Sequence, residues 1–202
     1  MYDARPSPQQ ERSLRSIDAI VDAAEHLIDV RGQVTLSAHE LAAAAGISVG
    51  RVYYWFPDMP SVVAALCDRG IQRLEQHFAD ALDLSESATE RGEFVHRLGE
   101  LVAEFFGANP ALVVLCLSGG SLEDHGASIR AAVHDLAAGV FANRAPHLDR
   151  EVHRRLGVDA TSIMLSMVRE GQRRGSLDGV AESIALVMGG WVAAVVGQRV
   201  TE

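Results

Sequence analysis

The stretch from residue 32 to residue 62, GQVTLSAHELAAAAGISVGRVYYWFPDMPSV, predicts a helix-turn-helix. Ser37 and Glu40 have the spacing of a capping box, in which the serine accepts from the first turn and the glutamate reaches back. Gly46 comes where a left-handed residue ends that helix and turns the chain. Ser48 follows as the cap of a second helix. The spacing therefore predicts two short helices joined by a tight turn.

The second helix of this motif has one side suited to burial and another suited to DNA. Val52 and Phe56 stand at i and i+4, which places them on one buried face. The three aromatic residues between them cannot all point inward, because successive helix positions lie about 100° apart. Arg51 accompanies the outward aromatics and is predicted to contact a base, most naturally the O6 and N7 atoms of guanine. A helix of this kind can enter a major groove.

The other predicted DNA contacts are assigned by chemistry and position. Val49 suits a thymine methyl group, and the serines and outward aromatics suit phosphates. Arg5, Arg12 and Arg15 form a basic cluster before the apolar stripe of the first helix. The alternative for the aromatics is that they are core residues at a helix junction. The full predicted set is Arg5, Ser37, Ser48, Val49, Arg51, Tyr53, Tyr54 and Trp55.

This segment resembles the DNA-reading motif of the TetR-type bacterial transcriptional repressors. The resemblance implies an all-α fold, a homodimer, and an apolar effector pocket in the C-terminal part, and it implies the same DNA role for Arg51 and the aromatics. The chain departs from the family at Met59, where a phosphate-contacting lysine is usual, and Trp55 stands where histidine is frequent. The likeness rests on an apolar helix ending at Gly32, then Leu41-Ala42, Ala45-Gly46-Ile47-Ser48, Gly50, Val52-Tyr53 and Phe56, then a long helix.

Charge and composition limit how this protein can bind DNA. The chain has 202 residues, 48% of them hydrophobic and 22% charged, which indicates a globular protein. Its net charge is −9, and residues 1–58 hold five arginines against eight acidic residues. Phosphate neutralisation normally dominates affinity for nucleic acid. We therefore predict specific binding with weak non-specific affinity, with the acids of the first helix facing away from DNA.

The sequence carries no pattern typical of a catalytic, metal or membrane site. Cys67 and Cys116 are isolated, which indicates neither a zinc site nor a disulfide framework. His147, Glu151 and His153 lack the spacing of a metal set. The longest apolar run, residues 184–196, is too short to cross a bilayer. We expect a cytoplasmic protein that is not an enzyme, needs no cofactor or metal, and does not bind membranes.

Apolar periodicity predicts an all-α architecture in two domains. Residues 1–57 form the helix-turn-helix domain with an N-terminal arm, and residues 58–202 form a connector helix and a helical regulatory and dimerisation domain. Asp58 is the predicted cap of the connector, which extends to about Leu84. The later predicted helices cover residues 90–106, 128–143, 151–172 and 180–199, with a short apolar segment at 111–117.

Two groups of C-terminal residues are assigned to binding. As single residues they are ordinary core, and as an ensemble they permit an apolar pocket, predicted to contain Leu98, Leu101, Phe105, Phe106, Leu117, Met164 and Met167. The last two helices permit a four-helix dimer interface, with intramolecular packing as the alternative. Its predicted residues are Ile163, Ile184, Val187, Trp191 and Val195.

The predicted function is that of a ligand-responsive transcriptional regulator, most naturally a repressor. Its expected partners are double-stranded operator DNA containing an inverted repeat, a second copy of the chain, and a small apolar or amphipathic effector that releases the DNA. The alternative is an all-helical small-molecule-binding or interaction module whose helix-turn-helix no longer reads DNA. The acidic balance of residues 1–58 and the presence of Met59 favour that alternative.

Overall fold

In the computed structural model the chain is all-α, as predicted. The structure describes residues 8–87, 91–118 and 126–197. Within those ranges the helices are α1 (Pro8–Arg31), α2 (Ala38–Ala45), α3 (Val49–Trp55), α4 (Met59–Ser87), α5 (Arg91–Ala108), α6 (Pro110–Leu117), α7 (Ala127–Arg144), α8 (Arg150–Arg174) and α9 (Val180–Gly197).

The predicted start and stop signals of the first helices are confirmed. Ser37 accepts a hydrogen bond from the backbone N–H of Glu40, and Ser48 accepts one from that of Arg51. Gly32 and Gly46 both have positive φ, 65° and 67°, the left-handed conformation that glycine adopts without a steric penalty. The side chain of Asp58 accepts from the backbone N–H of Ser61 at 2.8 Å and so caps α4. Backbone chemistry thus sets where these helices begin and end.

Helices α1 to α3 share a small apolar core, and we call these three helices the head. Ile20, Ala24 and Ile28 on α1 are fully buried, as are Leu41 on α2 and Val52 on α3. Helix α3 is only seven residues long, and isolated helices of that length are unstable in water. Its conformation therefore depends on its two caps and on the burial of one face against α2.

Helices α4 to α9 form the larger part of the molecule, which we call the body. Helix α7 packs along α8 and α5 packs along α9, while α6 lies between α1 and α8. Gly157 on α8 permits a close approach to α7, since a Cβ there would lie 2.8 Å from the backbone of Ala138 and of His134. The short apolar segment at 111–117, whose periodicity predicts neither helix nor strand, belongs to helix α6 and is almost wholly buried.

Apolar length alone does not mark any one described helix as a membrane span. One pair, Phe94–Ala108 with Pro110–Leu117, reaches the required length and composition together, but the two helices meet at 99°.

Candidate functional site

The outward side of α3 carries an exposed cation and two exposed aromatic rings. Arg51 is exposed, and its guanidinium donates a 3.4 Å hydrogen bond to the hydroxyl of Ser16 on α1. Tyr53 and Tyr54 are 54% and 75% exposed, although large aromatic side chains usually bury most of their surface. Val52, between them and Arg51, is fully buried. The helix therefore divides as the sequence predicted, with one face in the core and one in solvent.

Trp55 differs from its predicted placement on the outward face. Its ring is half-buried and packs edge-on against Tyr54, with centroids 4.8 Å apart. The indole Nε1 is shielded from solvent and has no hydrogen-bond partner among the described residues. An i+3 step from Val52 brings position 55 back toward the core, which is the physical reason for the difference. Trp55 supports the exposed tyrosine instead of presenting its own N–H.

The remaining predicted DNA contacts have different degrees of exposure. Ser48 is exposed at the N-terminus of α3, and Val49 is half-buried beside it. The hydroxyl of Ser37 is occupied, since it accepts from Glu40 N at 3.3 Å and donates to the Glu40 carboxylate at 2.6 Å. Arg5 lies outside the described residues. Arg51, Tyr53, Tyr54 and Ser48 are therefore the exposed members of the predicted set, and we call them together the reading surface.

Three acidic side chains of the head form ion pairs away from the reading surface. Asp22 and Glu25 on α1 face α4, where Arg69 bonds to both, at 2.5 and 2.7 Å, and Arg73 bonds to Glu25 at 2.6 Å. Glu40 pairs with Arg31 at 2.5 Å. Two of the eight acidic residues of residues 1–58, Asp22 and Glu25, are thus neutralised by arginines of α4, and a third, Glu40, by an arginine of the head itself.

Two carboxyl groups of the head have shifted pKa values with opposite causes. Burial raises the pKa of Asp29, against the opposing effect of a backbone hydrogen bond from Ala111 at the start of α6. The hydrogen bond from Arg31, followed by that from Ser37, lowers the pKa of Glu40. Burial of Asp29 between α1 and α6 places an ionisable group at the contact between head and body.

The body encloses an apolar cavity of about 330 Å³ between α4, α5, α7, α8 and α9. This volume falls at the lower end of the ~300–1,000 Å³ range typical of ligand sites. Only two of its lining residues, Arg144 and Thr161, carry polar side chains, and the others are apolar. The apolar lining residues are Leu74, Phe78, Phe94, Val95, Leu98, Val102, Phe106, Val133, Leu136, Ala137, Val140, Phe141, Ala145, Ala160, Met164, Leu165 and Met188.

Three of the seven predicted pocket residues line this cavity: Leu98, Phe106 and Met164. Four others do not. Leu101 and Phe105 are buried on the side of α5 that faces α4, where the Leu101 carbonyl lies 3.2 Å from His77 Nε2 and the ring of Phe105 lies beside that of His77. Met167 packs on the core without lining the cavity, and Leu117 lies at the exposed end of α6.

The cavity residues on α7 had not been predicted from the sequence, although α7 carries a readable signal. Val133, Ala137, Val140 and Phe141 form one apolar stripe, and Arg144 occupies the next position of that same stripe. Arg144 therefore places a charged group at the exposed end of this apolar stripe. The ring of Phe94 holds the Arg144 guanidinium at 4.0 Å from its centroid.

The predicted interface residues separate into a buried and an exposed group. Ile184 is 1% exposed and packs against Gly99 on α5, so its side chain does not reach the surface. Trp191 is half-buried, with its ring 6.0 Å from that of Phe141, and Ile163 packs partly on the core. Val187 is 44% exposed. The side chain of Val195 lies outside the described residues.

Cys116 and His153 of the body are both buried among its packed helices. Burial raises the pKa of the Cys116 thiol to about 12. His153 is buried and its Nε2 lies 2.9 Å from the carbonyl of Ala145. Across the part of the chain that the structure describes, no group of three His, Cys, Asp or Glu side chains is arranged to hold a metal ion.

Comparison with known proteins gives one sequence relative and several similar folds. No protein-family model matches the chain. It is 30% identical over 108 residues to the HTH-type transcriptional regulator EthR of Mycolicibacterium smegmatis. That match covers 54% of this chain and 46% of the relative, so the chain spans less than half of the length of the curated relative it matches.

Two solved structures resemble this fold along most of its length. The fatty acid degradation regulator FadR from Bacillus halodurans superposes with a TM-score of 0.65 at 16% identity, covering 97% of this chain and 99% of that chain. The transcriptional regulator FadR from Bacillus subtilis, in complex with stearoyl-CoA, gives 0.60 at 13% identity, covering 87% and 97%. At these identities the likeness shows the fold alone.

The fold and the reading surface define an all-helical protein with an N-terminal helix-turn-helix and a cavity-bearing helical body. The sequence match and the fold together confirm the resemblance to the TetR-type transcriptional regulators.

Proposed function

We propose that the protein is a ligand-responsive transcriptional repressor that binds an inverted-repeat operator as a homodimer and is released by a small apolar or amphipathic molecule. The observation that carries the proposal is the reading surface, on which Arg51, Tyr53 and Tyr54 are exposed on a capped helix whose opposite face is buried. Exposed tyrosines cost the monomer favourable burial, and contact with DNA provides a reason for their placement.

The effector half of the proposal rests on the cavity and on its connection to the head. Leu74 and Phe78 line the cavity, and both lie on α4. Arg69 and Arg73, on the same helix, hold Asp22 and Glu25 of α1. Because a helix moves largely as one rigid element, a shift of α4 on ligand binding is carried to α1 through these ion pairs. Helix α4 is therefore the proposed lever between cavity and head.

A second contact joins head and body at the end of α1. The guanidinium of Arg169 on α8 donates a 2.8 Å hydrogen bond to the carbonyl of Gly32. Gly32 ends α1 in the left-handed conformation and leaves that carbonyl without a helical partner. Helix α8 also lines the cavity, through Ala160, Thr161 and Met164. Helices α4 and α8 thus both line the cavity and both contact the head.

The proposed dimer surface is the outward face of α9, revised from the sequence prediction. Leu186 is 80% exposed and Val187 44% exposed, and Gly190 follows one turn later on the same face. A glycine beside apolar side chains allows the backbones of two helices to approach closely. On the neighbouring α8, the hydroxyls of Ser162 and Ser166 donate to carbonyls of their own helix at 2.7 Å. Burying these two serines in a dimer interface would therefore leave no hydroxyl donor unpaired.

A dimer brings two reading surfaces to DNA at a fixed spacing. One helix-turn-helix reads a half-site, and paired half-sites lie about 34–36 Å apart, one helical turn. A ligand that favours a different head spacing releases the operator. By linkage, operator DNA then weakens ligand binding by the same factor.

The test is a titration of the purified protein against duplexes from the region flanking its own gene, followed by fluorescence anisotropy at two salt concentrations. We expect saturable binding at one inverted repeat, two subunits per site, and weaker binding at higher salt. The Arg51→Ala variant should lose about 1–3 kcal/mol of DNA-binding free energy and should discriminate less between bases at one position of the operator. Arg154→Ala, an exposed residue of α8 paired with Glu151, is the matched control and should bind as the wild type does.

The competing function is a helical small-molecule-binding or interaction module that has lost specific DNA binding. Met59 favours it, since this residue is half-buried and contacts the core instead of presenting a cation at the start of α4. Absence of binding to any duplex at low salt, with a folded dimer in solution, would establish the competitor and reject the repressor.

A further inference from the structure

We propose that the cavity takes a monoanionic amphipath: an apolar chain of medium length lies among the side chains of α5, α7 and α8, and its acidic head group pairs with Arg144. The inference rests on the proposed function, since it names the chemical class of the effector of the same cavity. Four observations support it.

The cavity offers a ligand almost nothing polar except one cation. Thr161 is the other polar side chain of the lining, and its one hydroxyl proton is shared between two carbonyls of its own helix, that of Gly157 at 2.9 Å and that of Val158 at 3.1 Å. The carbonyl of Ala145, another lining residue, contacts His153. A ligand that fills this space therefore meets apolar walls and, at one end, a guanidinium.

Arg144 has no counter-ion of its own among the described residues. Half-buried arginines elsewhere have a polar partner. Arg69 and Arg73 on α4 pair with a carboxylate, and Arg169 on α8 donates to a carbonyl. The contact described for Arg144 is with the face of the Phe94 ring. A cation over an aromatic face keeps its outward N–H groups available, and a guanidinium binds carboxylates through two parallel hydrogen bonds.

Position fixes the orientation of the ligand. Arg144 is exposed and lies in the last turn of α7, so it marks the solvent end of the cavity. Phe106 and Met164 line the cavity and are almost completely buried. The charged head of an amphipath therefore stays near water, where its desolvation costs little, and the apolar chain takes the buried space.

Volume limits the length of the chain. A cavity of about 330 Å³ lies at the small end of the ~300–1,000 Å³ range of ligand sites, which favours a chain of medium length over a long one. A saturated acid of ten carbons is such a chain, and its carboxylate can project toward Arg144. We therefore choose decanoate as the probe, and decanol and decyltrimethylammonium as probes with the same chain and a neutral or cationic head.

The experiment is calorimetric titration of the full-length protein with the three probes, below their micelle-forming concentrations. We expect decanoate to bind about tenfold more tightly than decanol, the effect of one partly exposed charge-assisted contact, and decyltrimethylammonium to bind most weakly. Arg144→Gln should bring decanoate down to the affinity of decanol and leave decanol unchanged. Arg144→Glu should reverse the order and favour the cationic probe. Arg97→Gln, an exposed arginine of α5 paired with Glu100, is the matched control.

Equal affinity of the wild type for decanoate and decanol would overturn the proposal, as would a loss of decanoate binding in Arg97→Gln equal to that in Arg144→Gln. A hexanoate, decanoate and hexadecanoate series should be tightest at decanoate, and steady tightening to hexadecanoate would overturn the assigned length. These results are independent of DNA. A protein that prefers decanoate but binds no duplex refutes the repressor, and one that binds an operator without preferring decanoate refutes only this inference.

Discussion

The head, α1 to α3, is organised by local backbone contacts, whereas the body, α4 to α9, is organised by helices that meet across long stretches of sequence. In the head, a serine cap and a left-handed glycine lie within nine residues of each other. In the body, Gly157 meets the backbone of α7 about twenty residues earlier in the chain, and Arg169 reaches Gly32.

The two regions are therefore suited to different tasks. Local rules fix the geometry of a surface that must present a fixed pattern to DNA. The body is held by apolar packing, which tolerates change in a cavity lined by Met and Leu side chains. Four substitutions test this contrast, in order of decreasing expected effect.

The largest effect is expected where two body helices touch. Gly157→Ala places a Cβ 2.8 Å from backbone atoms of α7, and neither backbone can move without displacing its helix. We expect the free energy of unfolding in denaturant to fall by about 2–3 kcal/mol. Gly139→Ala is the control, since nothing lies within 4 Å of its Cβ position on α7. It should stabilise by ~0.5–1 kcal/mol, and equal losses in both variants would refute close packing as the cause.

An intermediate effect is expected at the contact between the two regions. Glu25→Gln removes the half-buried carboxylate that Arg69 and Arg73 share. We expect a loss of about 2 kcal/mol in unfolding, between the values for exposed and buried ion pairs, and a weaker effect of ligand on DNA affinity. The coupling is measured by a double-mutant cycle with Arg73→Gln. Glu151→Gln breaks an exposed pair on α8 and should change neither quantity.

A smaller effect is expected from the local geometry of the head. Gly46→Ala forces a side chain into φ 67°, although no atom lies within 4 Å of the added Cβ. The cost is then conformational only, about 1–2 kcal/mol, and thermal unfolding should register it. Gly50→Ala, in open space within α3, is the control and should be neutral or stabilising. If Gly46→Ala unfolds the head entirely, contacts beyond the local turn hold it.

The smallest effect is expected at Asp29 and has the opposite sign. Burial raises the pKa of this carboxyl above its ordinary value of 3.8, so the folded state binds the proton more tightly and its stability falls as pH rises between the two pKa values. Asp29→Asn should therefore stabilise by about 0.5 kcal/mol at neutral pH, where the buried charge is unfavourable. Its advantage should shrink on acidification in paired thermal melts. An advantage that does not depend on pH would contradict this cause.

Prediction from sequence succeeded where the signal was local. Ser37, Ser48 and Asp58 cap the helices they were expected to cap, and Gly32 and Gly46 adopt the left-handed conformation. These contacts join residues three or four positions apart, so the sequence spacing already contains their geometry. The exposed side of α3 followed from the same periodicity, except at Trp55.

The body required the tertiary structure. That Ile184 would face α5 while Leu186 and Val187 face outward depends on which neighbours α9 meets, and an apolar helix does not encode that choice. The residues that line the cavity could not be predicted for the same reason. Leu98 and Phe106 line it and Leu101 does not, and the sequence does not separate them because α5 is apolar on more than one side.

By itself the sequence determined an all-helical chain with a capped helix-turn-helix, because caps, left-handed glycines and helical periodicity act over a few residues. Only the tertiary structure placed Arg144 at the edge of an apolar cavity and turned Asp22 and Glu25 of α1 toward α4. Those placements join residues tens of positions apart, and their energies arise from burial and charge pairing that exist only after the helices have packed.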